Sequence, residues 1–258
     1  MAFNLESISK GRAMRAPRIV LMGVEKIGKS TFASQAPDAI FIPVKGEEGA
    51  DDLDVAKFPT ARSHADVMSA IGTLYKEDHD YKTVVIDSAS TLEPMIWDAT
   101  CKREGADSIE KVGGGYGKGF TEAMTEWRQM LDGLDALRAE KNMTSIIIGH
   151  VTVKPFHDPT SDSYDTYLFD VNKRASEAIL RWSDCILFCN RRVAVQKEDT
   201  GFKVKSRATG GGDPYLYTQK RAAHPGGGRG VYGQLPYELP LNWQSFAGAV
   251  QSATNPDS

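Results

Sequence analysis

The segment from Gly23 to Ser30 reads Gly-Val-Glu-Lys-Ile-Gly-Lys-Ser and matches the phosphate-binding pattern G-x-x-x-x-G-K-[ST] in full. In such a loop the glycines let consecutive backbone N–H groups point at phosphate oxygens. Lys29 would place its ammonium on the β- and γ-phosphates, and the Ser30 hydroxyl would bind Mg²⁺. The segment also follows an apolar run and precedes a stretch compatible with a helix, which is the context that the motif requires.

The sequence therefore predicts a site for a nucleoside triphosphate. The residues predicted to form it are Gly23, Val24, Glu25, Lys26, Ile27, Gly28, Lys29, Ser30 and Thr31. Lys26 stands at a variable position of the motif, where a solvated lysine is the simpler interpretation and a phosphate contact is the alternative.

A second signal lies at Asp87, which ends the apolar run Thr83–Ile86. Hydrolysis requires an acid that orients the metal as well as a loop that binds the phosphates. A carboxylate at the end of a buried strand can hold Mg²⁺ through water, so Ser30 and Asp87 are the predicted metal residues. Asp87 could instead cap the next helix, but Ser90 or Thr91 could do so equally well. The order of the two motifs along the chain favours the metal role.

The attacking water of a hydrolytic reaction needs a general base or an orienting group. Glu47 and Glu48 follow the second apolar run and are the candidates, with Glu47 favoured and Glu48 as the alternative. The neighbouring acids Asp51, Asp52 and Asp54 resemble a solvated helix start more than a base.

His150 ends the strand-like run Ile146–Gly149. Ligands of open parallel sheets bind at the carboxyl ends of the strands, so a polar residue there can face the γ-phosphate and report its presence to the following loop. A purely structural histidine is the alternative, and the sequence leaves both interpretations open. The predicted catalytic residues are Lys29, Glu47, Glu48 and His150.

Strand-like and helix-like segments alternate along most of the chain. The apolar, β-branched runs are Arg18–Met22, Ala39–Val44, Thr83–Ile86, Ser145–Ile148 and Asp184–Cys189. Between them, Ser63 has the context of a helix cap, and Thr121 opens a segment with apolar residues every three or four positions. This alternation predicts an α/β fold with a mainly parallel sheet. The runs are apolar throughout, as strands covered by helices on both faces should be.

The pattern changes after Cys189. Two strand-like segments, Arg191–Lys197 and Phe202–Arg207, flank a turn and predict a β-hairpin, which a stretch rich in glycine and proline follows. We expect a single domain with three parts. These are a core at residues 1–190, a β-rich C-terminal extension at residues 191–248 and a flexible tail at residues 249–258.

The composition limits the classes of protein and partner. The chain has 258 residues, is 41% hydrophobic and carries a formal charge of −3, so it can bury a sizeable core and has no global attraction to nucleic acid. No apolar run approaches the roughly 20 residues of a membrane-spanning helix, and the N-terminal residues lack the apolar stretch of a secretory signal. Cys101, Cys185 and Cys189 show no zinc-type spacing. We expect a cytoplasmic protein with reduced thiols and no membrane contact.

Positive charge is concentrated in the C-terminal part. Residues 191–229 contain nine Lys or Arg residues and three acids, a net charge of about +6, which leaves about −9 for the rest of the chain. Lys203, Lys205 and Arg207 alternate along the second hairpin strand and share one face. We predict that this face is the main contact with the phosphate backbone of a nucleic acid, with a solvated face as the alternative.

Together these motifs resemble the RecA-like branch of the P-loop ATPases. More narrowly, they are similar to the phage nucleotide-binding AAA-type family that includes RecA-like single-strand annealing proteins. The segments that carry the resemblance are Gly23–Ser30, Glu47–Gly49, Val85–Ser88, Gly149–His150, Trp182–Asp184 and Tyr232–Pro236. The first of them is specific for nucleotide binding, and the others are moderately specific for this branch.

The resemblance implies a RecA-like core that binds ATP and Mg²⁺, hydrolyses ATP and binds single-stranded DNA. It also implies assembly into a ring or filament with ATP at the subunit boundary, in phage recombination or replication in the host cytoplasm. A single-strand-binding protein is a further implied partner. The family's two DNA-contacting loops correspond to Arg103–Phe120, whose glycine-rich tip holds Tyr116 and Lys118, and to Val151–Val171.

The sequence departs from the family pattern at two places. The second loop and its ends carry four acids and three bases, a poor track for phosphates. The acids are Asp158, Asp162, Asp165 and Asp170, and the bases are Lys154, Lys173 and Arg174. The family's cationic cluster before the Tyr-Gly element, which reaches a neighbour's ATP, is reduced to Arg229. Either Arg229 makes this contact alone, or the contact is weakened or lost.

Two other functions fit part of the pattern. A nucleotide-dependent oligomeric scaffold would bind ATP with little turnover, and the open choice between Glu47 and Glu48 keeps this alternative. A P-loop small-molecule kinase usually carries an arginine-rich lid, whereas Val151–Val171 is acidic and poor in arginine, so the kinase ranks lowest.

Overall fold

The computed structural model describes residues 8, 10–11, 15–47, 49–158, 162–199 and 204–255, with the backbone alone for residues 192–199 and 204–211. The strands are β1 (Arg18–Gly23), β2 (Ala39–Pro43), β3 (Ala56–Lys57), β4 (Thr83–Asp87), β5 (Thr144–Gly149), β6 (Val151–Phe156), β7 (Tyr164–Phe169), β8 (Cys185–Asp199), β9 (Val204–Tyr217), β10 (Gly227–Gly228) and β11 (Glu238–Pro240). The helices are α1 (Lys29–Ser34), α2 (His64–Lys76), α3 (Ala89–Glu104), α4 (Lys118–Glu122), α5 (Met124–Lys141), α6 (Lys173–Trp182) and α7 (Trp243–Thr254).

Nine strands form the main sheet in the order β11-β9-β8-β1-β5-β4-β2-β3, with β10 paired to β8. The strands from β8 to β3 in this order are parallel neighbours, whereas β9, β10 and β11 pair antiparallel. The five apolar runs all form strands of the parallel part, which confirms the predicted α/β fold. The carboxyl ends of β1, β2, β4 and β5 lie at one edge, the edge where ligands of such sheets bind.

Helices cover both faces of the sheet, and this explains why its strands are apolar throughout. Successive residues of a strand point to opposite faces. Val20 and Met22 of β1 pack in the cluster formed with α2, α3, α5 and α6. Ile19 and Leu21 pack in the second cluster, formed with α1 and α7.

The helix cap predicted at Ser63 marks the observed start of a helix. Ser63 caps α2, because its side chain accepts a hydrogen bond from the backbone N–H of Asp66.

At the other end of the chain, α7 includes residues 249–254, which the sequence pattern had placed in a flexible tail. The physical reason is packing, since Phe246 of this helix is buried with its ring centroid 6.0 Å from that of Phe32 in α1. In the described part of the chain, no helix has both the length and the apolarity needed to cross a bilayer.

Two hairpins extend this architecture. Strands β8 and β9 pair antiparallel with a register shift between Arg191 and Val193, which confirms the predicted C-terminal hairpin. Strands β6 and β7 form a separate two-stranded sheet, called here the ribbon, between residues 151 and 169. The sequence predicted a loop there. The ribbon exposes three large apolar side chains, Val153, Phe156 and Leu168.

Candidate nucleotide-binding site

The phosphate-binding loop begins where β1 ends and continues into α1. Gly28 precedes the helix with a φ of 109°, in the left-handed region that favours glycine. Lys26 also has a positive φ, of 53°, so two residues of the loop lie in the left-handed region. This curled loop has the form that turns successive N–H groups toward a bound anion.

Lys29 is buried inside the curl of the loop. Its Nζ donates hydrogen bonds to the carbonyl oxygens of Gly23 and Val24, at 3.0 and 2.9 Å. Burial lowers the pKa of Lys29, an effect that nearby groups including Asp87 and Glu47 partly oppose. The ammonium is thus held at the centre of the loop by two carbonyls, and phosphate oxygens could replace them as partners.

The Ser30 hydroxyl donates a hydrogen bond of 2.7 Å to Oδ2 of Asp87, at the end of β4. Asp87 is 3% exposed, and burial raises its pKa. Gly49 lies against this pair. A Cβ added to it would stand 2.7 Å from Ser30 Oγ, closer than real side chains allow. The glycine of the Glu-Glu-Gly element therefore makes room for the contact between the loop and the acid.

The oxygens of Ser30 and Asp87 fit a magnesium ion. Adjacent ligands of an octahedral Mg²⁺ ion lie about 2.9 Å apart, since each metal–oxygen distance is about 2.1 Å. The 2.7 Å separation matches this spacing, so the two groups can share one coordination shell, directly or through water. Among the described residues, no group of three or more His, Cys, Asp or Glu side chains could hold a metal alone.

Glu47 lines the same cavity as Ser30 and Asp87 and accepts hydrogen bonds from two donors. Its Oε1 accepts hydrogen bonds from Nε2 of His150, at 2.6 Å, and from Oγ of Ser88, at 2.7 Å. Burial alone would raise the pKa of Glu47, but these two hydrogen bonds outweigh it and hold the pKa below its ordinary value. Glu47 is therefore a carboxylate at neutral pH, as a general base must be. Glu48, the alternative base, lies outside the described residues.

His150 connects the pocket to the ribbon that follows it. Its backbone N–H donates to Oγ of Ser90 in α3, at 3.0 Å, and its carbonyl oxygen accepts from the backbone N–H of Asp170. Because the Glu47 carboxylate can only accept, Nε2 carries the proton of that contact. The buried Nδ1 has no hydrogen-bond partner in the part of the chain that the structure describes.

These side chains line one cavity of about 850 Å³, a size that suits a nucleotide. Its walls include residues 25–31 of the loop together with Glu47, Asp87 and His150. Gly23 and Val24 contribute the carbonyls that hold Lys29. The sequence did not predict the part played by Ser88. Its position directly after the strand-ending acid is the signal that could have found it.

Comparison with known proteins assigns most of the chain to one family. Residues 15–230 match the model of the AAA domain family. The chain belongs to this family. Among solved structures, it is similar to a crystal structure of the RadB recombinase, with 15% sequence identity and a TM-score of 0.42 over 79% of this chain and 89% of that one. No curated protein matches it.

Arg229 lies outside the pocket of its own AAA domain. Its guanidinium donates hydrogen bonds to the carbonyl oxygens of Arg181, Trp182 and Ser183 at the end of α6. Its backbone N–H donates to Asp184, the residue before β8, beside the start of β1. The phosphate-binding loop follows the other end of β1, roughly 17 Å away for a six-residue strand. A contact with the nucleotide of a neighbouring copy stays a prediction.

Tyr116, in the first of the loops predicted to contact DNA, is not among the residues that line this cavity. Tyr116 is fully exposed at the tip of the glycine-rich segment of this AAA domain. Lys203 lies outside the described residues, and the side chains of Lys205 and Arg207 are likewise not described, although the backbone places both residues in β9.

Proposed function

We propose that this protein binds ATP with Mg²⁺, hydrolyses ATP, and acts on single-stranded DNA in recombination or replication as an assembly of several copies. One observation carries the proposal. The phosphate-binding loop, the strand-ending acid and an ionised glutamate, from three separate segments, line a single cavity.

Each residue has a defined part in the proposed reaction. Loop N–H groups and the Lys29 ammonium bind the β- and γ-phosphates, while Ser30 and Asp87 hold Mg²⁺. The ion, when bound, neutralises charge that develops on the phosphates. Glu47 accepts a proton from water as the water oxygen bonds to the γ-phosphorus. The bond from that phosphorus to the bridging oxygen breaks, and ADP and inorganic phosphate leave.

Action on single-stranded DNA is supported by the distribution of charge and by exposed rings. Residues 191–229 carry a net charge of about +6 in a chain of −3, and six of their nine Lys or Arg residues lie between residues 191 and 207. Tyr116 and Phe156 are exposed aromatic side chains on which bases could stack. We place the protein in the cytoplasm, that of the host for a phage-encoded chain, with a single-strand-binding protein as a further partner.

A second candidate function is a nucleotide-dependent scaffold with little turnover. The observation in its favour is that Glu47 Oε1 is already engaged by His150 and Ser88. These hydrogen bonds help to hold the pKa of Glu47 below its ordinary value, and a weaker base activates water less well. This function differs from the first in the rate of hydrolysis rather than in nucleotide binding.

ATP hydrolysis measured with and without single-stranded DNA tests the proposal. Stimulation by DNA supports the first function, whereas tight ATP binding without turnover supports the scaffold. Transfer of phosphate to an added small acceptor would indicate a kinase.

Reversal of two lysines tests the DNA surface. Lys203→Glu combined with Lys205→Glu should abolish DNA binding, because log affinity falls with each lost phosphate contact. The matched control reverses Lys76 and Lys102, which are exposed on helices α2 and α3. Unchanged DNA binding in the Lys203 and Lys205 variant would exclude the hairpin as the main contact.

A further inference from the structure

Helix α3 holds both ends of the ribbon. At the first end, Oγ of Ser90 accepts the backbone N–H of His150, directly before β6. At the second end, the carboxylate of Glu93 accepts the backbone N–H of Asn172, which caps α6 after β7. Ser90 and Glu93 are three residues apart and lie on one face of the helix. Ser88, which caps the same helix, donates to Glu47 in the pocket.

Glu93 is a carboxylic acid at a buried position of α3, where acidic side chains are unusual. The residue is 7% exposed, and its two oxygens lie 2.8 and 2.9 Å from the same Asn172 nitrogen. Among the described residues no cation forms an ion pair with it, and the charged group that acts on it is another acid, Asp170. Burial raises the pKa of Glu93 to about 7, and Asp170 adds to the effect.

A role in stability alone explains this arrangement poorly. A single N–H donor can be satisfied by a neutral amide or hydroxyl, which avoids the free-energy penalty of a buried and unpaired charge. Ionised acceptors, however, form hydrogen bonds about twice as strong as neutral ones. The carboxylate thus binds the Asn172 N–H at the end of the ribbon more strongly than a neutral group would, but it lowers the free energy of unfolding.

We propose that Glu93 is a positioning residue that couples the ribbon to the nucleotide pocket through helix α3. The inference rests on the proposed function, since it requires a nucleotide in the pocket. A nucleotide that moves Glu47, or its donor Ser88, displaces the first turn of α3. Glu93 transmits this displacement to Asn172, while Ser90 transmits it to His150, so that both ends of the ribbon respond together.

Amide hydrogen exchange of the ribbon, with and without the slowly hydrolysed analogue ATPγS and Mg²⁺, tests the coupling. In the wild-type protein at pH 8, we expect the nucleotide to change exchange across Val151–Phe169 by about fivefold, the lower end of usual coupling free energies. In Glu93→Gln, which keeps the shape and loses the charge, the change should fall below about twofold. The control Glu177→Gln, on the solvent side of α6, should behave as the wild type.

Nucleotide affinity is measured separately for each protein, so that two failures can be told apart. Absence of ATPγS binding by the wild-type protein would contradict the proposed function itself. Tight binding with the same exchange change in the wild type and in Glu93→Gln would overturn the coupling role. The wild type at pH 6, where Glu93 is mostly protonated, should resemble Glu93→Gln at pH 8. The same nucleotide-dependent change in exchange at pH 6 and pH 8 would also overturn the coupling role of Glu93. This comparison uses the wild-type protein alone.

Discussion

The carboxylate of Glu47 and the imidazole of His150 lie 2.6 Å apart, although 103 residues separate them in the chain. They meet because β2 and β5 end at the same edge of the sheet, on either side of β4. Among the described residues, both donors to Glu47 reach Oε1, which leaves Oε2 for a water molecule. The contact joins the candidate base to the residue from which the ribbon starts.

Replacement of Glu47 by Gln should separate chemistry from binding. The amide keeps the size of the side chain but cannot accept a proton, and general-base catalysis typically contributes at least about 100-fold. We expect kcat for ATP hydrolysis to fall about 100-fold or more, with nucleotide affinity within about threefold of the wild type. Steady-state hydrolysis and equilibrium binding measure the two quantities.

The matched control for that variant is Asp52→Asn, another acid of the same cavity wall. It should hydrolyse ATP at nearly the wild-type rate. Full activity in Glu47→Gln would mean that Glu47 is not the base, and would direct attention to Glu48.

Replacement of Asp87 by Asn should have opposite effects on magnesium and on stability. The variant loses the acid proposed to hold the ion, so the affinity for ATP in the presence of Mg²⁺ should fall about tenfold or more. Because burial raises the pKa of Asp87, its charge disfavours the folded state, and the neutral amide removes that penalty. The melting temperature without ligand should therefore equal or exceed that of the wild type. A lower melting temperature with unchanged magnesium dependence would contradict the assignment.

Much of the pocket could be predicted because its parts are local patterns. Residues 23–30 form one contiguous motif, and Asp87 is marked by the apolar strand that it ends. The contact between Glu47 and His150 could not be predicted, because it depends on the order of β2, β4 and β5 in the sheet. Strand order is a property of tertiary packing and leaves no mark in a single segment.

Glu93 should make stability depend on pH. Its pKa is about 7 in the folded protein and 4.5 ordinarily, so the folded state binds the proton more tightly. The resulting stabilisation is complete below pH 4.5 and is lost as the pH rises through 7. Relative to Glu93→Gln, the wild type should lose about 3 kcal/mol of unfolding free energy over this range. Urea unfolding of both proteins at pH 5 and pH 8 measures the difference in unfolding free energy between them. The same difference at both pH values would contradict the prediction.

Replacement of Arg229 by Ala should weaken the end of α6. The guanidinium caps the carbonyls of Arg181, Trp182 and Ser183, and it is half exposed, so we expect a loss of about 1 kcal/mol of unfolding free energy. The control is Arg174→Ala, at the exposed start of the same helix. A large loss of ATP turnover at unchanged stability would instead support the predicted contact with the nucleotide of a neighbouring copy.

The features that sequence patterns missed depend on distant partners. In the ribbon, Pro155 and the acidic residues interrupt the alternation of apolar and polar residues that identifies a strand. The register of β6 is set by its pairing with β7. Glu93 lies 79 residues from its donor Asn172, and an acid in a helix normally faces solvent. The hydrogen bonds of Arg229 to the end of α6 also join distant segments, while its predicted contact with the nucleotide of a neighbouring copy stays a prediction.

Nucleotide binding by the Lys29→Ala variant tests most simply whether the loop after β1 holds a triphosphate. Titration of a fluorescent ATP analogue in the presence of Mg²⁺ gives the affinity directly. The wild-type protein should bind, and Lys29→Ala should bind at least about 10-fold more weakly, because a lysine bonded to phosphate contributes about 1.5–3 kcal/mol. The exposed neighbour Lys26 supplies the control, and Lys26→Ala should stay within about threefold of the wild type. Equal affinity of the wild type and Lys29→Ala, or no binding by either, would mean that the loop after β1 does not hold a triphosphate.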